Sequence, residues 1–225
     1  MYASLLTAST LLPLLALAAP IAKRDAASIV TAINQIETNI NSLNTTLNGF
    51  KEGDVLAAVE VLEIQQETET LGDSISAAAA AANASAPLND TESGTVATAV
   101  VGLEPQIFSL LDNIQRKKPA FDSAILGVGS VSPQVEQDLE QQKALSAELG
   151  NAITAKLTQT YAAFAPVINQ QIADAFDQAI ATFATSGGLF ALPPVPSFDA
   201  FESAVTTASQ GDSSSGSDGL LGGIL

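Results

Sequence analysis

The stretch IVTAINQIETNINSLNTTLNGF, residues 29–50, places Ile29, Ile33, Ile36, Ile40, Leu43 and Leu47 at steps of four, three, four, three and four. That rhythm is the 3.6-residue period of a helix with one apolar face, whereas a half-buried strand would alternate at every second residue. Gly49 is a natural stop for such a helix. A second stretch repeats the rhythm: Val96, Val100, Leu103, Ile107, Leu110 and Ile114 step in the same way. Two matching stripes predict helices that each bury one face against neighbours.

Read outward from these two, the chain predicts five helical segments and no strand. They cover about 25–48, 54–82, 90–117, 132–164 and the residues after Pro166. Asp25 or Ser28 caps the first segment and Asp54 the second, which ends in a polyalanine run suited to close helix approach. Pro105 predicts a kink or break near Leu103 in the third. A short helix is expected around 121–126, Ser132 with Pro133 opens the fourth long segment, and Pro166 marks the joint before the fifth. The expected fold is all-α: a single-domain antiparallel bundle of about five helices with a possible internal apolar cavity.

The ends differ from this core. LLTASTLLPLLALAAP has the apolar length of a secretion signal, with a small-x-small site at Ala16 to Ala18, so residues 1–18 are expected to be a signal peptide. Residues 19–24 then form a short propeptide ending at the dibasic pair Lys23-Arg24, and the folded domain spans 25–186. Residues 187–225 are rich in Pro, Gly and Ser and read as a flexible tail. The terminal GLLGGIL is shorter than the roughly 10–20 apolar residues of a lipid-anchor signal. A secreted, extracellular chain is expected, with wall association as a further option and no transmembrane segment in its mature form. Sequons at Asn44, Asn83 and Asn89 fit that location.

Charge and composition exclude several functions. The formal charge is -16; without residues 1–24, which hold two of the 8 basic residues and none of the 24 acids, it becomes -18. Such a chain is repelled by nucleic acid and by anionic membranes. With no His and no Cys, it can form no Ser-His-Asp triad, thiol nucleophile or His-bearing zinc site, and no disulfide. Stability must come from a core, and about 160 ordered residues suffice to bury roughly 70% of the chain's surface. The acid pairs Glu60 with Glu63 and Asp174 with Asp177 read as solvated helix faces. GDSSSGSDG, residues 211–219, lacks the closing Glu of a calcium loop. No enzyme, cofactor or metal site is predicted.

What remains is apolar surface. Most of it serves as core, yet the aromatic residues are uneven: Phe108 and Phe121 bracket the end of the third segment, while Tyr161, Phe164, Phe176 and Phe183 crowd the last two. These six, with Leu111, are candidates to line a ligand cavity between helices. Lys117 and Lys118 suit the helix dipole, and either could pair with a fatty-acid carboxylate at a pocket mouth.

From residue 110, LLDNIQRKKPAFDSAILGVGSVSPQVEQDLEQQKALSAELGNAITAKL resembles the fungal hydrophobic surface-binding protein A family, which includes the cell-wall mannoprotein 1 type proteins. KKPAFD, residues 117–122, is its most particular piece, and the likeness extends over about 25–186. The resemblance implies a non-enzymatic helical protein that binds fatty acids, other apolar ligands or hydrophobic solids. It implies a secreted esterase as a partner to be recruited to such solids. The alternative is a structural cell-wall glycoprotein without a specific lipid ligand.

Overall fold

The computed structural model describes residues 25–52, 56–124 and 130–184. The expected signal, propeptide and tail lie outside the described residues, as does Asp54. Five long helices carry the fold: α1 (Ala26–Gly49), α2 (Ala57–Ala84), α3 (Asp90–Arg116), α5 (Ser132–Thr154) and α7 (Ala165–Ala184), with short α4 (Lys118–Asp122) and α6 (Gln159–Ala162) between them. Among the described residues there is no strand.

Local chemistry accounts for most of the boundaries. Asp25 accepts from the Ser28 amide at 2.9 Å and caps α1. Asn89 and Glu92 form a reciprocal capping box that starts α3. That helix runs unbroken through Pro105, contrary to the expected break; the ring sits on its exposed side, where only the Val101 carbonyl loses its amide partner. α4 begins earlier than expected, at Lys118.

The fourth long helix also departs from expectation. It ends at Thr154, not near Phe164, because tertiary hydrogen bonds capture the next residues. Leu88 N donates to Lys156 O at 2.8 Å, Thr158 N donates to Ser93 Oγ at 3.0 Å, and Lys156 Nζ donates to the Asn83 and Ser85 carbonyls. Pro166 then sits in the first turn of α7, where its missing amide is harmless.

The long helices alternate in direction along the chain but close into a ring in space. α1 packs against α2 and α3, α2 against α5, α5 against α7, and α7 against α3. Side-chain pairs set the directions. Ser42 with Glu67 and Asp25 with Ser85 make α1 and α2 antiparallel. Lys143 with Asp177, and Gly150 beside Asn169, do the same for α5 and α7. Gln142 to the Thr68 carbonyl and Lys156 to the Asn83 carbonyl make α2 and α5 parallel neighbours. Gly94 beside Tyr161 of α6, which leads into α7, and Gln115 bonded to Thr182 near the end of α7 make α3 and α7 parallel.

By length and hydropathy alone α3 could cross a bilayer. Here its faces pack on α1 and α7, and it buries Glu104, Asn113 and Gln115.

Candidate functional site

The ring has an interior. α1 turns the opening stripe inward, so that Ile33, Ile36, Ile40, Leu43 and Leu47 form one wall of an apolar cavity of about 110 Å³. α3 supplies Val100, Leu103, Ile107, Leu110, Leu111 and Ile114, and α2 supplies Ile64, Leu71 and Ile75. α5 adds Val135, Leu139, Leu149 and Ile153, α7 adds Ile172 and Phe176, and α4 adds Phe121. The polar lining is confined to Thr68, Asp138, Gln142, Ser146 and Asn169.

A smaller cavity of about 40 Å³ borders the first, sharing Val100, Gly150, Ile153 and Asn169 with it and reaching Tyr161 and Phe164. The combined lining runs along α3 from Ala97 to Ile114, about 25 Å at 1.5 Å per residue. Gly150 lets Asn169 of α7 come close to α5 between the two cavities: a Cβ there would lie 2.5 Å from Asn169 Oδ1. At the other end the lining is closed by rings. Phe50 and Phe121 stand 4.9 Å apart and Phe121 and Phe183 5.8 Å apart, centroid to centroid. A hollow of about 460 Å³ between the start of α1 and Ser74 and Ala77 of α2 is more open and has no ring around it.

The candidate residues therefore take different places. Leu111, Phe121 and Phe176 line the main cavity, and Tyr161 and Phe164 line its extension. Phe108 and Phe183 are buried outside both linings. Lys117 Nζ donates to the Asn48 and Phe50 carbonyls, at 3.2 and 2.6 Å, and so closes the C-terminus of α1. Burial, followed by the charges of Lys51 and Arg116, lowers the pKa of Lys117, with Glu60 opposing. Lys118, 9% exposed, bonds both carboxylate oxygens of Asp122 and lies 5.8 Å from the Phe183 ring centroid. Burial pushes the Asp122 carboxyl up, but the bonds from Lys118, Ser132 and Ser130 and the Lys118 charge together hold it below the usual range.

Of the sequons, Asn83 and Asn89 are exposed. Asn44 is half-buried against α3, where its Oδ1 accepts from Asn113 Nδ2 at 2.6 Å. The α1, α2 and α5 linings carry no aromatic residue and no charge but Asp138, which is why composition did not single them out. Their signal lay only in the stripes themselves. Among the described residues no group of three or more acids could hold a metal ion.

The family model of hydrophobic surface binding protein A matches residues 26–155. Among solved structures, the chain is similar to AfMp4p in complex with palmitic acid, at 34% identity and a TM-score of 0.64, covering 71% of this chain and 99% of that one. It is also similar to ligand binding domain 1 of the Penicillium marneffei MP1 protein complexed with arachidonic acids, at 18% identity and a TM-score of 0.63, covering 71% of this chain and 99% of that one. Domain 2 of the same protein, complexed with multiple arachidonic acids, matches at 21% identity and 0.63, covering 73% and 99%. The likeness to these two domains is one of fold. No curated protein matches the chain.

Proposed function

The chain belongs to the hydrophobic surface binding protein A family, and from that premise we propose that it is a secreted, non-enzymatic protein that takes up a fatty acid or similar single-chain lipid inside its helical ring. The observation that carries this reading is the apolar lining of two adjoining cavities, about 25 Å along α3, the larger of them walled by all five long helices. A saturated chain gains roughly 0.8 kcal/mol for each methylene it buries, and the lining offers it hydrocarbon on nearly every side. The cavity of about 110 Å³ is smaller than the roughly 150 Å³ that admits benzene in an engineered core. Long-chain uptake must therefore widen the ring, and the groups that move are the apolar side chains of the lining.

Secretion rests on the signal-like residues 1–18, and glycosylation on the exposed Asn83 and Asn89. The similar AfMp4p structure holds palmitic acid, which makes palmitate the natural first probe. Native mass spectrometry of the delipidated chain with palmitate should give a one-to-one adduct. At a ligand concentration 100 times Kd, the melting temperature should rise by about 5–10 °C. No adduct and no thermal shift would overturn the reading.

A second reading, adsorption to a hydrophobic solid, has its own observation. Leu56, Val59 and Leu62 at the start of α2 are 60%, 62% and 65% exposed. Recruitment of a secreted esterase to such a solid belongs with this reading. Retention on octyl beads, lost when Val59 and Leu62 become Ser, would support it. Retention unchanged in that variant would sink it.

A further inference from the structure

The polar part of the cavity lining lies on one side. α1, α3 and α4 contribute only hydrocarbon and aromatic side chains, whereas Asp138, Gln142 and Ser146 succeed one another down α5 at four-residue steps, flanked by Thr68 of α2 and Asn169 of α7. No Lys or Arg belongs to the lining. Lys117 and Lys118 are occupied at the aromatic end, and Lys143 of α5 is bonded to Asp177 of α7.

Gln142 decides what this wall can bind. It is 7% exposed, and its Nε2 donates to the Thr68 carbonyl at 3.0 Å, which fixes the orientation of the amide. Turning the amide over would set oxygen against oxygen. Its Oε1 is therefore left as a buried acceptor with no donor, an unfavourable arrangement that a ligand hydroxyl would relieve. One turn away, burial pushes the Asp138 carboxyl up; the bond from Gln134 opposes this and the charge of Glu69 on α2 adds to it. Asp138 and Glu69 are thus the charged groups near the wall from α5 and α2, and α7 contributes the neutral Asn169.

Resting on the acyl-chain reading above, we infer that the cavity selects an uncharged head group that donates a hydrogen bond, namely a fatty alcohol or a fatty acid in its protonated form, with the ligand hydroxyl bonded to Gln142 Oε1. A carboxylate anion has no proton to give Gln142, meets the acid at Asp138, and finds no cation in the lining. A protonated acid satisfies both sides, because Ser146 or the Asn169 amide can donate to its carbonyl oxygen.

The test compares 1-hexadecanol, methyl palmitate and palmitic acid as displacers of a fluorescent acyl probe from the delipidated full chain at pH 5 and pH 8. The alcohol should bind about tenfold tighter than the ester at both pH values. Palmitic acid should approach the alcohol at pH 5 and weaken toward pH 8, by roughly tenfold for each unit above its own pKa. In Gln142→Leu, checked for a wild-type helical circular dichroism spectrum, the alcohol-to-ester ratio should collapse toward one. In Asp138→Asn, palmitate at pH 8 should gain on the alcohol. Palmitate that equals or beats hexadecanol at pH 8, or a ratio unmoved by Gln142→Leu, overturns the inference while leaving acyl uptake standing. Failure of all three compounds to displace the probe overturns the uptake reading and the inference with it.

Discussion

Glu104 is 2% exposed on α3, and burial alone pushes its carboxyl up to about 7 from an ordinary 4.5. Its Oε1 is buried without a hydrogen-bond partner. Protonation removes the charge that burial penalises, so the folded state prefers the neutral acid. Stability from this group is then fully present below about pH 4.5 and is lost as pH rises through about 7, a total of about 3 kcal/mol. Urea titrations from pH 4 to 8 should show the decline, and Glu104→Gln should flatten it. An unchanged slope in that variant would refute the assignment. The same scale bears on the sequons: peptide mapping of secreted material should find glycans on Asn83 and Asn89 and none on Asn44, which the α1–α3 contact holds. The sequence offered no sign of Glu104's burial. An acid between apolar positions looks solvated until the partner helix and its register are known.

At the scale of elements, the stripes that predicted α1 and α3 proved informative because local signals start both helices, Asp25 for one and the Asn89–Glu92 box for the other, and Arg116 suits the end of α3. The break after Thr154 was not legible, since it depends on Ser93, Leu88 and Lys156 meeting from distant parts of the chain. The joint expected at Pro166 stands within a few residues of that position, since α6 ends at Ala162 and α7 begins at Ala165, with the proline in its first turn. The end of α1 depends on a residue 67 positions away from its last carbonyl partner, Lys117 on the Phe50 oxygen. Replacing it in Lys117→Met removes two charge-assisted bonds to the terminal carbonyls of α1. The expected loss is about 1–3 kcal/mol in a denaturant titration. A variant as stable as wild type would mean that water serves those carbonyls equally well.

For the whole molecule, helix number and inward faces could be read from periodicity, but ring order could not. Three of the five neighbouring pairs, α1 with α3, α2 with α5 and α3 with α7, are parallel pairs of helices that do not follow one another as long helices along the chain. Nor could the sequence separate cavity lining from core, because Ile and Leu serve both and only the ring's diameter decides between them. Phe121 and Phe176, which stood out by aromatic crowding, line the cavity with Leu111, whereas most of the wall is aliphatic. Filling that space is a direct way to separate uptake from stability. The double substitution Ile36→Phe with Leu103→Phe should keep the melting temperature within a few degrees, since it replaces void with packed carbon, while lowering palmitate uptake at least tenfold. Full uptake by a folded double variant would place the chain elsewhere.

The most direct test of the central claim is where a bound chain lies. Nuclear Overhauser contacts between carbon-13-labelled palmitate methylenes and methyl-labelled protein answer this in solution. Acyl uptake by the ring predicts contacts to Ile36 and Ile40 of α1 and to Leu103 and Leu111 of α3, on two neighbouring walls of the cavity. Contacts confined to Leu56, Val59, Leu62 or Val167, the large exposed apolar side chains among the described residues, would contradict it.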